Sequence, residues 1–568
     1  MRALTAVRCI DVLGSSLLGV ALLLPVGDGP WFSFWREWTA AIAVLLILLA
    51  ALTRLRHQGA TVRVAAASLP VAAGLLATVP WLQWLGGVQF YSGDAVLVSA
   101  YLLAFALCIA IAQSLAAADR AALADRLAAA MLFAAACSVP LAVLQWLGWL
   151  RLDLGMKVAA GRPVAHMEQT NLLCSLMIQG VLGAWRLCER GRLGRIPFGV
   201  LALMFLLTVD LTQSRVGWLV LVAAGAAVMW RRNSLELRKR IVLIVGAAVI
   251  VGVGAIAVPW IDGQLGFTGL ALGDRVSGGR RPDAWLLFLD AARLHPWVGW
   301  GALQNGAAQF AVAPAHPPLF WLFTSAHDVV LDLVVWFGIP VGAGAGVALI
   351  VAVFLRLRRA PDAAAFTTAL AIVALLLHGL VELPLQYTYF LFPMGLMMGT
   401  VNGLEPGAPH FWRLPLNTPA GFATLAIAPA LLLMLLARDY IPLSDTRPVL
   451  ILDRAAQHAS LNASTDVPGA VLLDQLQAFH AFAAHPVTSG LAADVVASLR
   501  KPMLRFPSAP SQELYARFMA LNGHPAQAID ALQRGCAFMM PLQCDESRSA
   551  WAYWRSEGEP LPAWPRQP

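Results

Sequence analysis

Long apolar runs separated by short basic loops recur along most of this chain, each of roughly 17 to 25 residues, the length that crosses a hydrocarbon core as a helix. The pattern predicts about thirteen spans, at 9–26, 38–54, 64–86, 95–115, 126–147, 171–187, 196–212, 215–230, 241–260, 329–355, 363–381, 387–402 and 418–437. The first run has no small-residue cleavage site followed by a polar domain, and is expected to be a retained span. The loops supply an orientation. RLRHQGATVR (54–63), RLCERGRLGR (186–195), RRNSLELRKR (231–240) and RLRRAPD (356–362) fall on one side. That side holds roughly twenty Lys and Arg against about five in the short loops opposite, which makes it cytoplasmic. An odd number of spans then places the N-terminus inside and the polar tail outside.

Two outer segments exceed what a connector needs. One runs from about Trp149 to Thr170; the other, 261–326, is too long to be structureless and is expected to be folded or functional. The chain thus divides into a membrane domain, 1–439, and an outer tail, 440–568. In the tail Leu472, Leu476 and Phe479 recur at helical spacing. A run from Glu513 to Leu521 turns at NGHP into another from Ala526 to Arg534, either one tetratricopeptide-like hairpin or part of a generic helical bundle.

Composition agrees with the patterning. Of 568 residues, 59% are hydrophobic and only 13% charged, too few to cover a water-soluble fold of this size. The net charge of +8 sits in the inside loops, so it is an orientation signal and not a nucleic-acid-binding face. Five of the seven cysteines lie in or beside apolar runs. Cys536 and Cys544 form the one pair in the polar tail, where a disulfide fits an oxidising compartment.

The informative polar residues gather at outer boundaries. His327 stands where a polar loop enters an apolar run, TSAHDVVLDLVV, and imidazole takes up a proton near neutral pH. Asp328 either raises the basicity of His327 or caps the following helix. Arg215, in SRVGW, either binds a ligand or reaches for headgroups. Arg280 and Arg281 begin an amphipathic stretch with Trp285, Leu289 and Ala292 as its apolar stripe, suited to the interface; a solvated loop is the alternative. HMEQTN (166–171) supplies Gln169 and Asn171, suited to sugar hydroxyls or to capping. Glu382, Tyr387 and Tyr389 lie in HGLVELPLQYTYFLFP, where the tyrosines also fit an aromatic belt. No metal-ligand motif or phosphate-cradling glycine loop is found, so a pyrophosphate group would fall to arginine.

These pieces carry a resemblance. QSRVGWL (213–219), GRRPDAWLLFLDAARLHPWVGWG (279–301) and AHDVVLDLVVWFGIPVG (326–342) resemble the superfamily of O-antigen ligases, O-antigen polymerases and bacterial protein O-oligosaccharyltransferases. QFYSGDAVLVSAYLLAF (89–105), HMEQTN, ELPLQYTYFLFPMGLMMG (382–399) and the helical tail look more like the oligosaccharyltransferase branch.

The resemblance implies an all-α inner-membrane protein that moves a glycan from undecaprenyl pyrophosphate to a Ser or Thr hydroxyl of a periplasmic acceptor such as a pilin-like protein, with no cofactor or metal. His327 would be the base, with Arg215 and Arg280 or Arg281 on the donor pyrophosphate. Gln169 and Tyr387 or Tyr389 would match further functional positions. Members commonly have Asn where Asp328 stands. The alternatives are an O-antigen ligase acting on lipid A-core and an O-antigen polymerase. A transporter of lipid-linked glycan, the rival from another class, is disfavoured because the two halves show no convincing repeat.

Overall fold

The computed structural model describes residues 2–27, 30–66, 68–150, 162–235, 237–266, 280–401, 411–444 and 467–565. Part of each long outer segment (151–161 and 267–279) and the start of the tail (445–466) therefore lie outside the described residues.

The described residues are mostly helical, and a two-stranded antiparallel sheet pairs Val62–Ala65 with Phe411–Leu414. Among the described residues, eight helices are long and apolar enough to cross a membrane. They are Phe34–His57, Ser92–Ser114, Ala117–Trp146, Thr170–Glu189, Arg195–Thr212, Ile241–Gln264, Ile339–Arg359 and Pro419–Leu443. Arg2–Ala21, Arg215–Arg231, Ala363–Gly379 and Thr388–Val401 are helices on other expected runs.

Two expected spans are corrected. The run 64–86 is not one helix but the end of a strand followed by the helices Leu69–Leu76 and Val79–Leu85. The run 329–355 is broken at Gly338, which separates Val329–Phe337 from Ile339–Arg359. Gly338 has φ 82°, and a β-carbon there would lie 2.5 Å from the carbonyl oxygen of Trp297. Only glycine suits that backbone at that contact.

Two compact units emerge. The first comprises residues 1–75, 101–279 and 347–433. In it Thr170–Glu189 packs against Ala117–Trp146 through small residues: a β-carbon on Gly183 would meet the Ala128 carbonyl at 2.8 Å. Such contacts let apolar helices approach where no hydrophobic force drives them together. Two buried carboxylates are paired with arginines. Asp125 meets Arg186 at 2.8 Å and Arg192 at 3.1 Å, and Asp11 meets Arg54 and Arg126 at 2.5 Å each.

The second unit comprises 76–100, 280–346 and 434–568. Its core joins the tail to the late outer loop: Ala307, Phe310 and Ala313 pack with Phe479, Phe482, Met503, Phe518 and Trp551. Arg534 donates to the carbonyls of Phe310 and Ala311, and the Leu319 amide donates to the Ala537 carbonyl at 3.1 Å. Arg505 grips Asp94 with two nitrogens, at 2.8 and 2.9 Å. In the tail, Ala509–Leu521 and Pro525–Phe538 form a helical hairpin, and Cys536 and Cys544 are joined by a disulfide. The helix Arg281–Leu294 buries Ala284, Leu287, Phe288, Ala291 and Ala292. The expected stripe is thus rotated: Ala292 belongs to it, Trp285 is half-buried, and Leu289 is exposed.

Candidate functional site

In the second unit, the loop before Val329–Phe337 presents His327. Its backbone is left-handed, with φ 56°, uncommon for a residue with a β-carbon and a mark of a position held by its surroundings. The holding groups are identifiable. The peptide before His327 is fixed on one side by Trp285, whose indole N–H donates to the Ala326 carbonyl at 3.0 Å. On the other, the Ala326 amide donates to Asp332 Oδ1 at 2.7 Å. The His327 amide donates to Ser325 Oγ at 2.9 Å. The imidazole stands edge-on to Phe323, with ring centroids 5.5 Å apart.

His327 Nδ1 lies 3.0 Å from the Ser325 carbonyl oxygen. A carbonyl only accepts, so Nδ1 carries the proton and the lone pair of the neutral ring is on Nε2. Burial pushes the imidazole below its ordinary 6.5; the hydrogen bond to Ser325 opposes this and the Arg281 cation adds to it. His327 is thus a neutral base beside a cation. Asp328, its neighbour in sequence, caps the next helix: Oδ1 accepts from the amides of Val330 and Leu331 at 2.8 and 3.0 Å. Arg281 lies close enough to His327 to act on its charge, whereas Arg280 is exposed and donates to the Phe320 carbonyl at 3.2 Å.

In the first unit a second set converges. Glu382 accepts from Asn171 Nδ2 at 2.7 Å and from Gln169 Nε2 at 3.1 Å. Asn171 Oδ1 in turn accepts from Ser214 Oγ at 2.7 Å, and Ser214 caps the helix that begins at Arg215. Three separated stretches of sequence therefore meet at one carboxylate. A small cavity beside them is lined by Asp210, Gln213, Ser214, Arg215 and Trp218. Tyr387 and Tyr389 stack 5.1 Å apart.

The loop carrying Gln169 is itself locked. Ala165 and Glu168 have positive φ, and Gln145 clasps the backbone, donating to the Ala165 carbonyl at 2.8 Å and accepting from the Val164 amide at 3.0 Å. Arg36, fully buried, donates to the carbonyls of Leu24 and His166 and lies 5.2 Å from the centre of the Tyr389 ring. His166 Nε2 donates to the Leu22 carbonyl at 2.6 Å. Burial first, and then the Arg36 cation, push that imidazole down to about 4.

Arg36, Gln145, Asn305 and Ser325 escaped the sequence reading, and Asp332 is not among its site residues. Only Arg36 carried a usable signal, a charge at the mouth of an apolar run, FWREWTA. Among the described residues no group of three His, Cys, Asp or Glu is placed to hold a metal ion.

Two family models match: O-antigen ligase over residues 199–345, and the C-terminal part of virulence factor membrane-bound polymerase over 366–540. A general O-oligosaccharyltransferase of Acinetobacter baylyi is 29% identical over 443 residues, covering 76% of this chain and 75% of that one. A ComP-specific O-oligosaccharyltransferase of the same organism is 25% identical over 249 residues, 43% of this chain and 44% of that one. The ligase match takes in SRVGW, Arg281 and His327, and the likeness to the first relative extends over three quarters of both chains. Together these matches support an O-oligosaccharyltransferase within the O-antigen ligase superfamily.

Proposed function

We propose that this protein O-glycosylates proteins at the outer face of the inner membrane, moving a preassembled glycan from undecaprenyl pyrophosphate to a Ser or Thr hydroxyl. The observation that carries the reading is His327, a neutral imidazole held in a strained loop with its lone pair on Nε2 and Arg281 nearby. A hydroxyl is a weak nucleophile. In the proposed step Nε2 takes its proton as the oxygen bonds to the anomeric carbon, and the sugar–phosphate bond breaks. A positioned base typically contributes ~10²–10⁴-fold. Charge develops on the departing pyrophosphate, and Arg281, beside His327, stabilises it without a metal. Gln169, Asn171 and Glu382 form a hydrogen-bonding array suited to a sugar or to the acceptor hydroxyl, with Tyr387 and Tyr389 beside it in sequence.

The topology belonging to this reading is multi-pass, with the N-terminus in the cytoplasm and the tetratricopeptide-like tail, 440–568, in the periplasm. The charge bias of the loops and the Cys536–Cys544 disulfide support that side for the tail.

The second reading, favoured by the family match over 199–345, is ligation to lipid A-core. Purified protein given lipid-linked glycan together with either a pilin-like protein or rough lipopolysaccharide separates the two. Glycan on the protein, lost in His327→Ala, is the expected result. Glycan on lipopolysaccharide alone, or unchanged transfer by His327→Ala, overturns it.

A further inference from the structure

The position of His327 raises the question of what keeps a left-handed histidine in place while substrates come and go. Asp332 lies one turn into the following helix and is 3% exposed. Its Oδ1 accepts from the Ala326 amide at 2.7 Å and from Asn305 Nδ2 at 2.8 Å, and its Oδ2 accepts from Ser325 Oγ at 2.6 Å. Asn305 is itself oriented, since its Oδ1 accepts from the Trp336 indole N–H at 2.5 Å. All three partners are buried to within a few percent, so the carboxylate is satisfied only in this geometry.

The direction of each proton follows. The Ser325 hydroxyl must donate to Asp332, because an ionised carboxylate only accepts, which leaves its lone pairs to receive the His327 amide at 2.9 Å. The same residue's carbonyl receives Nδ1–H of the imidazole. Ser325 thus grips His327 at both its backbone and its ring, and Asp332 grips Ser325 and the peptide between them.

We infer that Asp332, acting through Ser325 and Asn305, is a positioning residue that holds His327 in the tautomer and orientation needed to take the acceptor proton. The inference rests on the reading of His327 as the base. It assigns a role to a buried carboxylate that bears on His327 through Ser325 and the Ala326 amide. Asn305 also acquires a purpose, since its side-chain N–H on Oδ1 leaves Oδ2 for Ser325.

The test uses the full-length protein in detergent or nanodiscs with lipid-linked glycan and a protein acceptor. Asp332→Asn and Ser325→Ala are each expected to lower kcat by about 10–100-fold, the usual loss when a partner that orients a reacting group is removed. KM for the donor should change less than about threefold. Ser325→Thr, which keeps the hydroxyl, should restore most of the rate. Adding Asp332→Asn to His327→Ala should lower residual turnover no further, because the effect passes through the imidazole. A purely structural role would instead lower donor binding and melting temperature together with kcat, and would still act in the His327→Ala background; either result overturns the proposal. Wild-type kcat in Asp332→Asn and Ser325→Ala with His327→Ala inactive removes the positioning role alone. Wild-type turnover by His327→Ala removes the underlying reading as well.

Discussion

The guanidinium of Arg281 helps to keep the imidazole of His327 neutral, working in the same direction as burial and against the hydrogen bond from Nδ1 to the Ser325 carbonyl. A base must be unprotonated to act, so this pairing extends activity toward acid. The acidic limb of kcat/KM should have its midpoint below 6.5, the ordinary value for histidine. Arg281→Ala should move that midpoint upward while also weakening donor binding. A midpoint unchanged by the substitution, in a pH–rate profile of each protein, contradicts the pairing.

Glu382 ties together residues 169, 171 and, through Asn171, 214. Glu382→Ala leaves two half-buried amide groups without their acceptor, at a cost of about 1 kcal/mol each. Transfer should fall at least about tenfold. Glu382→Gln should not restore it, because one terminal atom of a glutamine side chain donates where both must accept. Activity assays alongside thermal melts of the two variants check this.

In the tail, burial lifts the Glu513 carboxyl to about 7, against the Arg517 cation and a hydrogen bond from Ser547. The folded value exceeds the ordinary 4.5, so folding takes up a proton between those two pH values. The stabilisation is complete below 4.5 and is lost as pH rises through 7. Glu513→Gln should flatten this dependence and raise the melting temperature at pH 8 by at least about 2 °C. Equal slopes for the two proteins from pH 5 to 8 would sink the assignment.

Arg505 and Asp94 form a two-nitrogen pair in which Asp94 is fully buried. Arg505→Ala strands that carboxylate and should cost about 3 kcal/mol. Limited proteolysis should then cut the tail sooner. Combining Arg505→Ala with Asp94→Asn should recover much of the loss, because the stranded charge is gone.

The membrane helices were legible because a hydrocarbon core demands long apolar runs whatever the fold. The two misread runs failed for local reasons. At 64–86 the apolar residues continue through Pro70 and Pro80, and hydropathy does not register the missing amide of a proline. At 329–355 the break is one glycine, whose positive φ is dictated by the close approach of the Trp297 carbonyl. His327 and Arg281 stood out because their chemistry is rare in apolar surroundings. Asp332, Asn305 and Ser325 did not, since a buried hydrogen-bond network joins residues up to 31 positions apart and leaves no periodic trace. The rotated stripe of Arg281–Leu294 has a similar cause: the packing of that helix against Asn305–Val312 and Val329–Phe337 chose the face.

The packing of Phe310 and Ala313 against Phe479, Phe518 and Trp551 has a temporal consequence. A ribosome delivers Trp551 long after Phe310, a lag on the order of tens of seconds at ordinary synthesis rates. During that interval Phe310 and Ala313 lack the partners that the tail supplies, so this part of the fold closes only when the final helices arrive.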